Sequence, residues 1–371
     1  MVFRIEMLPA GKGDCIWVEY GPKNKTKSVL IDGGMPSTSD ALRKRIAKEK
    51  KGHKFELIVV THVDEDHIGG VLEAVADNKD EMFRAEDFWF NSFDHLLAAS
   101  AAMGPGQGDE LTEKLAAAVT AGTLRWNAAF DAKAIFVPDE APLPTVTLGG
   151  GAKLTILSPT PAKAARMHKR WVDVTEDGKK RLGRDGIAKL DEANSALGPA
   201  APPKLTARTN LATLAARQNS GVSDSSPANG SSIAFLFEYG GKTVLFGADA
   251  HHGVLCDSLD RLSPDDAVSL DAFKLPHHGS NNNVSTNLIN AVSCPLYLFS
   301  TNGDDHGHPN GDAVATTIVN GFRDDQFEKV ELAFNYRNKF TSPWDNAELK
   351  KKYKYATTYP KKVGESLVIE L

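Results

Sequence analysis

The alternation of hydrophobic and polar positions along the first third of the chain predicts strands that alternate with helices. Residues 15–20 and 28–32 are apolar runs separated by a polar turn, which is typical of two strands. Residues 37–46 begin with helix-capping side chains and continue with apolar residues one helical turn apart. Residues 55–60 follow as a buried strand and lead into His62. Loops beyond the C-terminal ends of strands are where α/β sheets usually build their sites.

Two segments in the middle of the chain depart from this core pattern. Residues 71–138 are mainly helical in pattern and contain two alanine-rich stretches, which predicts an inserted helical layer. Residues 162–228 are basic at first, then rich in Pro and Ala, and finally rich in Ser, Asn and Gly. That composition predicts a flexible or partly helical excursion. We expect both segments to be insertions in a single domain that spans residues 1–371.

The last part of the chain returns to strands, and these end at polar side chains. The apolar runs of residues 233–246 predict a hairpin that ends just before Asp249. Two further apolar runs, residues 272–275 and 296–300, are each followed by histidines. Together with residues 55–60, four strands therefore end at groups that can bind a metal ion.

The composition is that of an ordinary globular protein, and it argues against a membrane-spanning, a secreted or a disulfide-rich protein. The chain of 371 residues is 41% apolar, but no run approaches the roughly 18 consecutive apolar residues that span a bilayer. The N-terminus lacks the long apolar region of a secretory signal, so we expect a soluble, cytoplasmic protein without membrane contacts. Its three cysteines are far apart, which argues against a disulfide framework. A net charge of −5 means that a polyanionic substrate would need bound cations or a local basic patch.

The densest group of metal-capable residues lies directly after the strand of residues 55–60. The pattern His62-x-Asp64-x-Asp66-His67 places four potential ligands within six residues. At one strand end such groups would repel one another, and burying them would cost free energy, unless a cation lay among them. The alternative is a solvated turn whose histidines only cap a helix. Three further candidate ligands lie elsewhere in the chain: Asp249, His278 and His308.

Through these residues the chain resembles the metallo-β-lactamase superfamily, whose signature is usually written T-H-x-H-x-D-H. Residues 61–67 match it, with Asp64 in place of the second histidine. This acidic variant is similar to the hydrolase domain of the ComEC-type competence proteins and their stand-alone relatives. The other motifs that carry the resemblance are residues 11–14, 30–34, 229–232, 247–249, 276–280 and 307–309.

The resemblance implies an α/β fold of the αββα type, in which two mixed sheets pack face to face with helices outside. It also implies two divalent metal ions, zinc or manganese, at one edge between the sheets. His62 and Asp64 would help to bind the first ion. Asp66 and His67 would bind the second, and Asp249 would bridge the two. A carboxylate is a harder ligand than an imidazole, so this replacement allows manganese to compete with zinc for the site.

Two ligand positions need separate expectations. By the same resemblance, His308 would complete the second site. The superfamily usually supplies a further histidine to the first site, just before the strand of the bridging aspartate, where this chain has Asn229 or Ser231. We expect His278 to replace that histidine, with His277 as the alternative.

Two metal ions about 3.5–4 Å apart can share a hydroxide and clamp the attacking and leaving oxygens of a displacement. We therefore expect Asp66, which can orient the attacking water, and His278 to be the catalytic residues. A basic stretch within residues 162–228 could contact phosphates, although a solvated face is the simpler interpretation of such a run. The expected substrate-binding residues are Lys180, Arg181, Arg184, His277 and Ser280.

The resemblance favours a phosphodiesterase or nuclease that acts on DNA or RNA, because two metal ions would neutralise phosphate charge. A second hypothesis is a hydrolase of a small ester, lactone, thioester or cyclic nucleotide, since a fold does not determine a substrate. A third is a non-catalytic binding or effector-partner module that keeps the fold. A basic groove in residues 162–228 would favour a polymer, and an apolar lid there would favour a small molecule.

Overall fold

A computed structural model of the chain describes residues 1–76, 84–99, 110–122, 124–174, 200–218, 223–321 and 328–371. Lys180, Arg181 and Arg184, which the sequence predicts as substrate-binding residues, lie outside the described residues. The strands of the described part are β1 (Val2–Met7), β2 (Ile16–Gly21), β3 (Lys27–Ile31), β4 (Phe55–Val59), β5 (Ala85–Trp89), β6 (Thr145–Thr147), β7 (Lys153–Ser158), β8 (Ala234–Tyr239), β9 (Lys242–Phe246), β10 (Val268–Ser269), β11 (Ala272–Lys274), β12 (Val292–Ser293), β13 (Leu296–Phe299), β14 (Val330–Phe334), β15 (Tyr355–Thr358) and β16 (Leu367–Glu370).

Helices connect most of these strands. They are α1 (Ser39–Ile46), α2 (Glu65–Ala76), α3 (Phe93–Ala99), α4 (Glu110–Thr120), α5 (Pro161–Val174), α6 (Leu211–Gln218), α7 (Pro227–Gly230), α8 (His252–Leu262), α9 (Thr286–Asn290), α10 (Gly311–Asn320) and α11 (Ala347–Tyr353). Short 3-10 turns cover Pro36–Thr38, Ala128–Phe130, Pro276–Gly279 and Ser342–Trp344. Among the described helices, none combines the length and the apolar character that crossing a lipid bilayer requires.

The strands form two large mixed sheets. Over the described ranges, the first sheet has the order β16-β1-β2-β3-β4-β5, and the second has the order β15-β14-β13-β11-β9-β8-β7-β6. Strands β3, β4 and β5 run parallel in the first sheet. Strands β9, β11, β13, β14 and β15 run parallel in the second. The carboxyl ends of each parallel group therefore lie side by side at one edge of their sheet.

The inner faces of the two sheets share one apolar core. Phe3, Ile5 and Met7, which are alternate residues of β1, pack in the same buried cluster as Phe235 and Phe237 of β8. The ring centroids of Phe3 and Phe237 lie 5.3 Å apart. Because side chains alternate between the two faces of a strand, this spacing presents one face of β1 to the second sheet.

Helices cover the outer face of each sheet. Leu42 of α1 packs in one buried cluster with Leu30 of β3, from the first sheet. Leu259 of α8 and Val314 of α10 pack with Tyr297 of β13, from the second sheet. The layers follow the order helix, sheet, sheet, helix, so the predicted αββα sandwich is confirmed.

The structure adds a strand to the segment that the sequence describes as helical. Within residues 71–138, β5 pairs in parallel with β4 and forms an edge of the first sheet. Polar Glu86 and Asp87 interrupt this short run and hide its strand pattern. The buried Asp87 carboxylate accepts hydrogen bonds from the backbone N–H groups of Ala128 and Ala129. In residues 162–228 the described part contains α5, α6 and α7. The division into one domain with two insertions stays a prediction.

The end of β3 and the helix α2 approach each other so closely that only glycine fits between them. A Cβ atom at Gly70 would overlap the carbonyl oxygen of Gly33, and one at Gly33 would overlap the backbone of Val71. Two backbone hydrogen bonds of 2.8 Å hold the contact, from Gly70 N–H to Gly34 O and from Gly33 N–H to His67 O. Because His67 lies in the first turns of α2, this contact helps to set where its side chain lies.

We therefore expect Gly70→Ala to lower the free energy of unfolding by about 1–3 kcal/mol, since overpacking forces a shift of the backbone. The control is Gly253→Ala in α8, where an added Cβ meets no atom within 4 Å. That change should be neutral or stabilise the protein by up to about 1 kcal/mol, the difference in helix propensity. Urea unfolding of both variants measures the two values. Equal stability of Gly70→Ala and the native protein would show that the contact is not tight.

Candidate metal centre

Histidine and aspartate side chains from both sheets meet in a cleft at one edge of the sandwich. His62 follows β4 of the first sheet, and His67 lies in the first turn of α2. Asp249 follows β9 of the second sheet, and His278 follows the neighbouring strand β11. The carboxyl ends of β9 and β11 are adjacent because these strands are parallel neighbours. The order of the strands therefore brings together side chains that are more than 200 positions apart in the sequence.

Asp249 is the central carboxylate of this cleft, and its side chain is only 3% exposed. Its Oδ1 lies 3.3 Å from His67 Nε2. Its Oδ2 lies 3.5 Å from His278 Nε2, 3.8 Å from His277 Nε2 and 4.0 Å from His62 Nε2. Four imidazoles thus surround one buried carboxylate, in the position that a bridging ligand would require.

One group of candidate ligands lies around His62. Its Nε2 lies 3.5 Å from Asp64 Oδ2, and both side chains are buried. Ligand atoms of His62, His67 and Asp249 all fall within 4.8 Å of one another. His62 Nδ1 lies 3.0 Å from Thr61 Oγ1, so Nε2 is the nitrogen that remains for the cleft.

A second group forms around His278. Its Nε2 lies 3.2 Å from His67 Nε2 and 3.3 Å from Asp66 Oδ2, and the ligand atoms of all three residues fall within 4.8 Å. The sequence argument expected His278 beside His62 and Asp64 instead. The backbone of the turn after β11 is left-handed, with φ of 46° at His277 and 54° at His278, and the Nε2 atoms of both rings approach Asp249 Oδ2, at 3.8 Å and 3.5 Å. This turn geometry cannot be read from the motif.

The ring of His277, whose Nε2 lies 3.8 Å from Asp249 Oδ2, is held by contacts at its Nδ1. Its Nδ1–H donates to Asn283 Oδ1 over 2.8 Å and lies 3.5 Å from Asp224 Oδ2. Asp224 Oδ2 also accepts hydrogen bonds from the side-chain amides of Asn229, at 2.7 Å, and Asn283, at 2.8 Å. Asn229, where a further histidine was expected, therefore belongs to the group that orients His277.

His308 and Ser280 lie differently from their predicted roles. The ring of His308 lines the cleft 5.1 Å from the ring of His277 and 5.7 Å from that of His306. Over the described ranges, no carboxylate oxygen lies within 4.0 Å of its ring nitrogens, so the structure groups it with histidines rather than with Asp66. Ser280 is buried, and its hydroxyl accepts a hydrogen bond from Asn282 N–H instead of lining the cleft.

Asp32 is a site residue that the sequence argument did not identify. Its Oδ2 accepts hydrogen bonds of 2.8 Å from His67 Nδ1–H and from the hydroxyl of Thr61. The proton on Nδ1 leaves Nε2 of His67 as the nitrogen that can bind a metal ion. The sequence marks Asp32, because it ends an apolar run within the motif of residues 30–34. Its role depends on the contact with His67 of α2, which the sequence does not show.

A buried ion pair supports His278 in the same way. Lys274 Nζ lies 2.6 Å from Asp14 Oδ2, and these side chains are 1% and 2% exposed. Asp14 Oδ1 lies 3.4 Å from His278 Nδ1, which donates a 2.8 Å hydrogen bond to Ser300 O. Burial by itself would raise the pKa of Asp14, but Lys274 and His278 lower it to about 2. Neither residue of the pair was predicted to act at the site.

The charges and hydrogen bonds of the cleft fit a divalent cation. Burial by itself lowers the pKa of His67, but the carboxylates of Asp249 and Asp66 raise it well above its usual value. Asp249 likewise raises the pKa of His278 against the effect of burial. Among the described residues, His62 Nε2 and Asp249 Oδ1 are buried without a hydrogen-bond partner. Buried polar atoms without partners are costly, and a metal ion would satisfy both at once.

Comparison with known families agrees with this geometry. A family model described as the metallo-beta-lactamase superfamily matches residues 8–164, which include β1 to β5 and the residues from His62 to His67. The match covers 157 of the 371 residues, so residues 8–164 resemble a metallo-beta-lactamase superfamily domain. Members of this superfamily are mostly metal-dependent hydrolases that typically bind divalent metal ions. No curated protein matches the sequence. The finer resemblance to ComEC-type domains stays a prediction.

Three solved structures are distantly similar to this chain, each at 12% identity. Zn(2+)-bound PqqB from Methylobacterium extorquens has a TM-score of 0.40, with 97% of this chain and 88% of PqqB covered. A diphosphatase from the PhnP family has a TM-score of 0.36, with 100% and 99% covered. The CmlA beta-hydroxylase E377D mutant has a TM-score of 0.39, and this chain spans only 54% of its length. Likenesses this distant do not indicate a substrate.

We expect Lys274→Met to lower the free energy of unfolding by about 3–5 kcal/mol, because it leaves the Asp14 carboxylate buried without its cation. The control is Lys153→Met, which removes an ion pair with Glu238 whose side chains are 49% and 35% exposed. That loss should stay within about 1 kcal/mol. Chemical unfolding of both variants gives the comparison. A Lys274→Met protein as stable as Lys153→Met would contradict a buried, uncompensated carboxylate.

We expect Asp249→Asn to lose metal binding more severely than any other single ligand change, because its carboxylate contacts both ligand groups. Affinity for zinc or manganese should fall by at least about 100-fold, beyond the range seen when outer partners of a ligand are removed. The matched control is Asp257→Asn, an exposed position of α8. Metal content after dialysis, measured by mass spectrometry, provides the readout. Native metal content in Asp249→Asn would remove this residue from the bridging position.

Proposed function

We propose that the protein is a metal-dependent phosphodiesterase that acts on nucleic acid, DNA or RNA. The observation that carries this proposal is the pair of ligand groups that share the buried carboxylate of Asp249. Two divalent ions at such a site would lower the pKa of a bound water to near 7 and offset the charge of a phosphodiester. The hydrolase character of most of the superfamily agrees with this chemistry.

The proposed ligand sets follow the contacts around His62 and around His278, and His277 is added because its Nε2 lies 3.8 Å from Asp249 Oδ2. One ion would be held by His62, Asp64 and His277. The other would be held by Asp66, His67 and His278. Each imidazole offers Nε2, since hydrogen bonds engage its Nδ1. Carboxylate and imidazole ligands together suit either zinc or manganese.

The lining of the cleft favours a charged substrate. Small-molecule sites are usually lined mainly by apolar side chains. The described lining of this cleft is instead polar or charged throughout: Lys12, Asp64, Asp66, Asp249, His277, His278, Thr301, Asp304, His306 and His308. Lys12 pairs with the exposed Asp305 at 3.1 Å, and its ammonium would in addition hold a non-bridging phosphate oxygen as a point charge. The hydroxyl of Thr301 and the imidazoles of His306 and His308 add further hydrogen-bonding groups.

Asp66 is placed to act on water as well as on metal. Its side chain is 13% exposed, against 3% for Asp249 and His278 and 0% for His67. It is therefore the carboxylate of its ligand group that reaches furthest towards the open cleft. We propose that Asp66 accepts a hydrogen bond from the attacking water and orients it. His278, held through Nδ1 by Ser300 O, acts as a ligand.

A substrate panel tests this function directly. The purified protein, loaded with manganese or zinc, is offered single-stranded DNA, double-stranded DNA, RNA, bis(p-nitrophenyl) phosphate and p-nitrophenyl acetate. Cleavage of the phosphodiesters with little action on the acetate supports the proposal. Cleavage of the acetate alone would favour the small-ester hypothesis, and no cleavage together with tight metal binding would favour a non-catalytic module.

We expect Asp66→Ala and His67→Ala to fold but to lose phosphodiesterase activity by at least about 1,000-fold, because each change removes a ligand and, at Asp66, the group that orients water. The matched control is Asp257→Ala on the exposed face of α8, which should keep native turnover. Initial rates with bis(p-nitrophenyl) phosphate and circular dichroism measure activity and folding. Full turnover in either ligand variant would exclude the two-metal mechanism.

A further inference from the structure

We propose that a groove beside the metal centre binds the phosphate backbone of a nucleic acid strand that extends out of the cleft. This backbone groove is formed by residues 335–337 and 360–364 and has a volume of about 120 Å³. The inference rests on the proposed phosphodiesterase function and names a surface that would select a polymer over a small phosphodiester.

The order of parallel strands places this groove next to the metal cleft. Residues 335–337 follow β14, and residues 360–364 follow β15 shortly after its end. Both strands are parallel to β13, which leads into residues 300–308 at the cleft. Neighbouring strands lie about 4.8 Å apart, so the loops after β13, β14 and β15 form a continuous edge.

Hydrogen bonds connect the floor of the groove to the metal ligands. The side-chain amide of Asn335 donates to Ser300 Oγ over 3.1 Å, and Ser300 O accepts the 2.8 Å hydrogen bond from His278 Nδ1–H. On the other side, Gly11 N–H donates to the hydroxyl of Tyr336 over 2.9 Å. The residue after Gly11, Lys12, lines the metal cleft. The wall of the groove is therefore hydrogen-bonded to residues that adjoin the cleft.

The groove presents cations at its rim. Lys361 and Lys362 are exposed, and over the described residues Lys361 has no carboxylate within 4.0 Å. Lys362 has only a distant pair with Glu365, at 3.8 Å with an 81% exposed side chain, which contributes little in water. Arg337 stacks on the ring of Tyr359 at 4.6 Å and pairs with Asp345 at 2.8 Å, so its guanidinium is held in place.

The positive surface continues onto α1. Gly364 lines both the backbone groove and a neighbouring groove that Lys44 and Lys48 also line. Lys44 lies in α1 and Lys48 lies just after its end; both are exposed and, in the part of the chain that the structure describes, have no carboxylate within 4.0 Å. The acidic groups of that second groove are partly compensated, for example Glu6 by Arg45 at 2.7 Å.

A nucleic acid backbone fits this surface better than a compact ligand does. The cations are spread over three linings: Lys12 at the cleft, Lys361 and Lys362 in the backbone groove, and Lys44 and Lys48 in the neighbouring groove. A nucleic acid backbone, which repeats its charge along its length, could contact all three. The chain as a whole has a net charge of −5, so a polyanion needs such a local run of cations to approach the cleft. Backbone contacts of this kind give affinity without sequence specificity and are sensitive to salt.

The test is the double variant Lys361→Gln/Lys362→Gln, with Lys23→Gln/Lys25→Gln as a control of equal charge change. Lys23 and Lys25 are exposed in the turn that precedes β3, at the opposite end of that strand from Asp32 and the cleft. The metal-loaded protein is titrated into a fluorescent 20-nucleotide single-stranded DNA with phosphorothioate linkages, and anisotropy is followed at several salt concentrations. Hydrolysis of bis(p-nitrophenyl) phosphate is measured in parallel.

The groove variant should bind the oligonucleotide roughly 10-fold more weakly, and the slope of log affinity against log salt should flatten by about 1.4, which is two contacts at about 0.7 each. Its hydrolysis of bis(p-nitrophenyl) phosphate should stay within about 2-fold of the native rate, since neither lysine lines the metal cleft. The control should behave as the native protein does.

Native affinity and an unchanged salt slope in the groove variant would overturn the inference, as would failure of the native protein to bind the oligonucleotide. An equal loss in the control would also overturn it, because the effect would then come from net charge alone. The proposed function fails separately, if the native protein hydrolyses no phosphodiester at all. Binding and hydrolysis are independent readouts, so the two failures can be told apart.

Discussion

The buried carboxylate of Asp249 is the constraint on which the rest of the site depends. A carboxylate that is 3% exposed needs positive or hydrogen-bonding partners, and the structure surrounds it with four imidazoles. Each imidazole is engaged at Nδ1 and directs Nε2 towards Asp249. The partners at Nδ1 differ in every case: Thr61, Asp32, Asn283 and the carbonyl of Ser300. The site is therefore ordered by an outer ring of hydrogen bonds, which is how proteins usually orient histidine ligands.

The packed sandwich stabilises the strained backbone conformations on which this site depends. Ala248, His277 and His278 adopt left-handed φ angles of 45°, 46° and 54°, a conformation that costs non-glycine residues about 1–3 kcal/mol each. Residues keep such a strained conformation only where the surrounding structure holds them in it. Here the turns follow strands whose apolar residues are buried in the core between the sheets. The tight glycine contact at Gly33 has the same role on the other sheet, since it locks the start of α2 against β3.

The sequence predicted the layers correctly, but it missed residues whose role depends on contacts between distant elements. Strand β5 was hidden because Asp87 is polar yet buried, and its carboxylate caps a nearby turn. Asp14 and Lys274 were missed because a buried ion pair can be recognised only when both partners are seen together. The motifs indicate that His278 and His308 lie at the cleft, but they do not show which side chains these rings contact there. The basic residues proposed here for backbone binding lie outside the segment that the sequence analysis favoured.

What the sequence by itself determined is local: the apolar periodicity that defines the strands, and the four potential ligands within the six residues from His62 to His67. These follow from side-chain identity and from the short range over which a strand and a helix repeat. What only the tertiary structure decided is which nitrogen meets which carboxylate, because that depends on strand order and on the left-handed turn after β11. His67 and His278 are 211 residues apart in sequence, yet their Nε2 atoms lie 3.2 Å apart, and no local pattern encodes such a contact.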